Sequence, residues 1–136
     1  MARGAGVLLL LAAYAKSAEP IALAQWVGYA TNWPPAATWA IAIAVVMYEG
    51  VVGTLATLDP LRSLGFLASI YAAFTLLHVA MLVNPDLGRC PCLGSVAADI
   101  GPAIQNTILG LVSLFVTATT SFAIARRFLE QRAIPV

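Results

Sequence analysis

The sequence predicts an all-α protein, an integral membrane four-helix bundle, and three observations carry that prediction. Of 136 residues, 61% are hydrophobic and 10% charged, whereas a soluble domain has roughly a quarter charged and under half apolar. The mean hydropathy is +0.90, and a chain of that character folded in water would expose far too much apolar surface. Four stretches hold no charge, Gly4 to Ala15, Pro20 to Tyr48, Ser63 to Pro85 and Ile100 to Ala125, and a spanning helix needs about 20 apolar residues. At this length a single transmembrane domain over 1–136 is expected. Seven basic and six acidic residues give a net charge of +1, which provides no field for gathering nucleic acid.

The first element is expected over roughly 3 to 18. Met1-Ala2-Arg3, the apolar run that follows and Ala13-Tyr14-Ala15 also fit a secretory signal with an A-x-A cleavage site. A span is the reading adopted, because the helix can continue past Lys16 if that side chain snorkels or meets a carboxylate. The long stretch after Pro20 is interrupted at Asn32-Trp33-Pro34-Pro35, since proline lacks an N–H and clashes with the preceding turn. The second span therefore runs roughly 35 to 58 and carries Glu49. Before it, the segment from Ile21 to Tyr29, with Trp26, Tyr29 and Trp33, has the aromatics of a segment lying along or dipping into the interface. A tight turn at Asp59-Pro60 leads to the third span, roughly 61 to 83, and the fourth occupies roughly 102 to 126.

Four spans put both termini and Arg62 on one side. That side holds Arg3, Arg62, Arg126, Arg127 and Arg132, against Lys16 and Arg89 on the other, so the positive-inside rule predicts a multi-pass protein of the inner (plasma) membrane with cytoplasmic termini. The loop from Asn84 to Gly101 then faces outward. Small residues at four-residue spacing, Ala36/Ala40/Ala44, Gly65/Ser69/Ala73 and Ser113/Thr117/Ser121, predict strips where helices approach closely.

Cys90-Pro91-Cys92 in the outer loop holds the only two cysteines. A bridge across one residue closes a small strained ring, and strained bridges are reduced more easily than structural ones. Arg89 beside them favours the thiolate. Redox exchange, a bridge that pins the loop and two unpaired thiols all remain open on spacing alone. Two sulfurs and a lone His78 fall short of four ligands, so no metal site is expected. An ionised Glu49 inside a span costs about 2.5 kcal/mol or more unless paired, and Lys16 is the basic residue within reach. Glu49 as a proton acceptor or quinone-site group is the functional alternative to that pair. His78, about one and a half turns before the outer end of its span, could shuttle a proton to a thiolate, ligate a pigment or metal, or hydrogen-bond a neighbour.

Lys16 in the first span, Glu49-Gly50 in the second and Cys90-Pro91-Cys92-Leu93-Gly94 between the third and fourth together resemble the DoxX-like superfamily of small four-helix membrane proteins, and most closely its methylamine-utilisation MauE branch. That branch has a helix-one lysine, a helix-two glutamate and a Cys-x-Cys-Phe-Gly loop; here Leu93 stands for the phenylalanine and Pro91 is an unusual middle residue. The resemblance implies assistance to disulfide formation or maturation of exported proteins beside a thioredoxin-like partner, with Cys90 and Cys92 as the redox pair and Lys16 with Glu49 as the intramembrane pair. The expected function is thus a membrane thiol-disulfide relay, passing electrons between that partner and either a quinone in the bundle or another dithiol protein. The alternative is a non-catalytic subunit packed against a larger respiratory or photosynthetic membrane complex.

Overall fold

The computed structural model describes residues 2–87 and 101–132. Among the described residues there are α-helices α1 (Ala2–Ala18), α2 (Pro20–Thr31), α3 (Pro35–Leu58), α4 (Leu64–Val83) and α5 (Pro102–Arg132), a 3-10 turn at Pro85–Leu87, and no strand. Arg89, Cys90, Pro91 and Cys92 lie outside the described residues. Helices α3, α4 and α5 are each long and apolar enough to cross a membrane, and α1 with α2 makes a fourth candidate if that bent pair is one span. The protein is a helical membrane bundle.

Its solvent logic is inverted relative to a water-soluble fold. Leu11, Leu76, Phe115 and Phe122 are exposed, whereas Lys16, Glu49, His78, Gln105 and Asn106 are buried. Lipid accepts the apolar surface at no cost, while a polar side chain facing lipid would lack hydrogen-bond partners, so the polar groups turn inward.

The first expected element, roughly 3 to 18, falls on α1, which is a candidate span only together with α2. Helix α1 has 17 residues, about 26 Å at 1.5 Å per residue, short of a hydrocarbon core of roughly 30 Å. It runs antiparallel to α3, with Gly6 against Gly53 and Ala56 and Lys16 against Glu49, so it ends alongside the middle of α3. Pro20 at the start of α2 disfavours helical backbone at Glu19, and the chain bends by 91° into α2. Helix α2 then covers the remaining part of α3, packing Leu23, Ala24 and Val27 around Ala42. Trp26 is half-buried, its Nε1 donating to the Leu87 carbonyl at 3.0 Å; Tyr29 and Trp33 are the exposed aromatics of this segment. Asn32 ends α2 in the left-handed region at φ 55°, its N–H bonded to the Gly28 carbonyl at 2.8 Å, a conformation asparagine tolerates.

Two other boundaries shift. Residues 60–62 form a turn in which Arg62 reaches back to Asp59, so α4 begins at Leu64 instead of 61. Helix α5 outruns the apolar stretch that ends at Ala125, because its polar extension is itself helix-compatible and Arg126 pairs with Glu130 one turn on at 2.8 Å.

The small-residue strips also divide differently from expectation. Ala36, Ala40 and Ala44 are exposed, as are Gly65, Ser69 and Ala73, so among the described residues neither strip seats another helix. Of the third, Ser113 is buried and Thr117 half-buried, while Ser121 is exposed. Close packing occurs instead where α1 crosses α3: a Cβ on Gly6 would stand 2.8 Å from the Gly53 carbonyl oxygen, and one on Gly53 would stand 2.9 Å from that of Gly6. Beside this crossing Ala5 and Leu9 meet Val52, Ala56, Leu67, Ile70 and Tyr71, joining α1, α3 and α4. Tyr71 seals the cluster by donating its hydroxyl to the Ala5 carbonyl at 2.9 Å.

Substituting Gly53 by alanine is therefore expected to destabilise the protein in detergent by about 1–3 kcal/mol, because a backbone carbonyl opposes the new methyl group. The same change at Gly50, with nothing within 4 Å of its built Cβ, should cost little, and chemical-denaturant titration of both variants checks the difference.

Candidate functional site

Lys16 sits in the last turn of α1 and Glu49 in the middle of α3, and the antiparallel register of those helices brings them face to face. Lys16 Nζ donates to Glu49 Oε1 at 2.5 Å, and the two side chains are 2% and 0% exposed. An isolated buried charge would be strongly destabilising, whereas two opposite charges in contact recover much of that cost. The ammonium has a further neighbour, lying 5.3 Å from the centroid of Phe74, within the range of a cation–π contact. Phe74 is itself placed by Tyr71, whose ring meets it edge-on at 6.1 Å and 89°. Helices α1, α3 and α4 thus converge on a single charged locus.

That locus is incompletely saturated. Glu49 Oε2 has no hydrogen-bond partner among the described residues, and an ammonium carries three N–H donors, one of which serves Oε1. Glu49 lies beside a groove of about 350 Å³ between α3 and α4, where Tyr48 and Ser69 join it.

His78 occupies α4 and is 2% exposed. Helix α5 approaches it closely because position 110 is glycine: a Cβ there would stand 3.3 Å from His78 Cβ. Asn106, one turn earlier on α5, is an electrostatic neighbour of His78, while His78 Nδ1 has no partner among the described residues. His78 and Lys16 line one cavity of about 100 Å³ between α1, α4 and α5, with Tyr71, Phe74 and Ser113. No group of three or more potential metal ligands occurs among the described residues. Cys90 and Cys92 lie outside them, so the geometry described is that of the intramembrane polar residues.

Tyr71, Phe74, Asn106 and Ser113 were not singled out as site residues by sequence. Aromatic and small polar residues are too common in apolar helices to stand out, and their meeting depends on the α1–α4–α5 arrangement. Gly110 was the available signal, since a glycine in a helix facing a lone histidine marks close backbone approach.

The pair predicts a pattern of non-additivity. Lys16→Met and Glu49→Leu should each destabilise the protein by about 3–5 kcal/mol, since either leaves one buried charge without its partner, and the double substitution should be far less costly than their sum. Unfolding of the four proteins in one detergent checks this, and additive losses would show that the two charges do not interact.

A family model described as methylamine utilisation protein MauE matches residues 1–124, which include both members of the ion pair, His78 and the Cys90-Pro91-Cys92 triplet. Searches of curated proteins and of solved structures find no match. The match covers α1 to α4, α5 as far as residue 124 and most of the chain, and the protein belongs to the MauE family, membrane proteins of methylamine utilisation.

Proposed function

We propose that this protein is a membrane thiol-disulfide relay that assists disulfide formation or maturation of exported proteins. The observation that carries this reading is the family match extending through Cys90-Pro91-Cys92, which contains the only two cysteines of the chain. Within the same reading the family is a branch of the DoxX-like superfamily. The termini are cytoplasmic and the cysteine loop faces the outside of the plasma membrane, in accord with Arg3, Arg62, Arg126, Arg127 and Arg132 clustering on the opposite side.

The exchange needs only the two sulfurs and a partner. A thiolate of a reduced thioredoxin-like exported partner attacks the Cys90–Cys92 bridge, and one sulfur leaves as a thiolate while a mixed disulfide forms. The partner's second thiolate then attacks that mixed disulfide, releasing the oxidised partner and leaving Cys90 and Cys92 as a dithiol. Both electrons of the partner's dithiol now reside on this chain and must pass to an acceptor. Arg89 stabilises whichever thiolate leaves, and His78, on the helix that leads into the loop, is the group assigned to carry a proton. The Lys16–Glu49 pair ties α1 to α3, so that the bundle presents the loop from a fixed base.

In native membranes the lone Cys90 thiolate of Cys92→Ser, or the lone Cys92 thiolate of Cys90→Ser, should attack the disulfide of the oxidised partner, the reverse of the second step, and stay trapped as a mixed disulfide seen as a mass shift. A membrane-impermeant reductant applied to intact cells should release it. Absence of a trapped species from both variants, with partner disulfides unchanged, would exclude the relay and favour a non-catalytic subunit of a larger membrane complex. Release only after the cells are broken would reverse the topology.

A further inference from the structure

The cavity that joins Lys16 to His78 has the construction of a ligand site. Its inner end is polar and fully enclosed: Lys16 and His78 are each 2% exposed and Ser113 5%, and all three line the cavity. At that end Lys16 has N–H donors beyond the one given to Glu49, and His78 Nδ1 has no partner among the described residues. A buried polar atom without a partner costs about 1–3 kcal/mol, so these two groups favour a guest that satisfies both.

The remaining walls say what kind of guest. Phe74 and Tyr71 provide aromatic surface, suited to a flat ring. The outer rim is made by Leu8 of α1 and Val112 of α5, which are 48% and 40% exposed, so the cavity opens between two membrane-embedded helices toward lipid rather than water. Its volume of about 100 Å³ is several times the roughly 10–15 Å³ that seats one water. Pockets of this kind, apolar with a few convergent polar groups, recur between the helices of bundles. Because Glu49 already neutralises Lys16, the guest need carry no charge: it must accept a hydrogen bond from an ammonium and exchange one with an imidazole.

We propose that the seam between α1 and α5 binds a lipid-soluble ring bearing carbonyl or hydroxyl oxygens, of the quinone–quinol class, with its oxygen at Lys16 and His78 and its tail leaving between Leu8 and Val112. A quinone carbonyl accepts from Lys16, and a quinol hydroxyl donates to His78 Nδ1. Binding depends only on this geometry. Its use as the relay's acceptor rests on the reading given above: oxidation of the Cys90/Cys92 dithiol to a disulfide gives up two electrons and two protons, which convert one quinone to one quinol.

The test is equilibrium binding of decylubiquinone to the purified full-length chain in lipid nanodiscs, with decylbenzene as a tail-matched control lacking oxygens. Saturable quinone binding near one per chain is expected. It should weaken by about tenfold or more, equivalent to 1.4 kcal/mol, on Leu8→Trp or Val112→Trp, which block the rim, and on His78→Phe, which removes the imidazole. The two rim positions already face lipid, so their helix content and gel-filtration profile should match the parent, and a variant that differs in either is replaced by Leu8→Phe. Binding should survive Cys90→Ser and Cys92→Ser, so a failed relay with intact binding separates the two readings. Absence of saturable binding, equal binding of decylbenzene, or indifference to both rim substitutions would overturn the site and leave the cavity to water or acyl chains.

Discussion

A lysine and a glutamate in contact inside a hydrocarbon-embedded bundle constrain everything around them. Neither charge is tolerable there alone, so the native arrangement must hold α1 and α3 in the one register that brings Lys16 to Glu49. That register is antiparallel, and it leaves α1 ending beside the middle of α3. The 91° break at Glu19-Pro20 and the seating of α2 on the rest of α3 follow from it. A longer, straight α1 would carry Glu19 deeper along the bundle with no basic partner for it; the bend takes the chain away first.

Close backbone approach makes the register attainable. Gly6 and Gly53 bring α1 and α3 near enough that each carbonyl blocks a Cβ on the other, and without water to drive association this contact is a principal source of packing energy. A second crossing works on the same principle at Gly110, where α5 closes on His78. Spaces remain beside the polar residues: the groove next to Glu49 and the cavity joining Lys16 to His78. In a membrane protein such polar-ended spaces are where function resides, because maintaining them costs stability.

Much of this was legible in the sequence. Charge-free lengths locate α3, α4 and α5, Asn32-Trp33-Pro34-Pro35 and Asp59-Pro60 give two of the breaks, and the start of α3 at Pro35 coincides with the expected boundary. The Lys16–Glu49 contact was readable because the cost of a buried charge requires a partner and few basic residues lie near any span. What misled was reading small-residue spacing as packing: alanine is common in apolar helices, and the strips at Ala36 and Gly65 face outward, while the working contact uses two isolated glycines. The break after α1 was also signalled, by Pro20, and the aromatics Trp26, Tyr29 and Trp33 pointed the following segment to the interface; that α2 packs on α3 depends on contacts between elements, which a linear reading does not contain. The cavity was not readable at all, since it is bounded by three helices that are remote in sequence and its walls are ordinary apolar residues.

The register of the bundle depends on Glu49 and Lys16 being an ion pair, with the carboxyl ionised between the helices. Infrared difference spectroscopy of the protein in lipid, comparing the parent with Glu49→Gln, tests it most directly. An ion pair requires that the substitution remove a carboxylate stretching pair. Loss of a protonated carboxyl C=O band instead, with no change in the carboxylate region, would contradict it and mean that the contact is a neutral hydrogen bond.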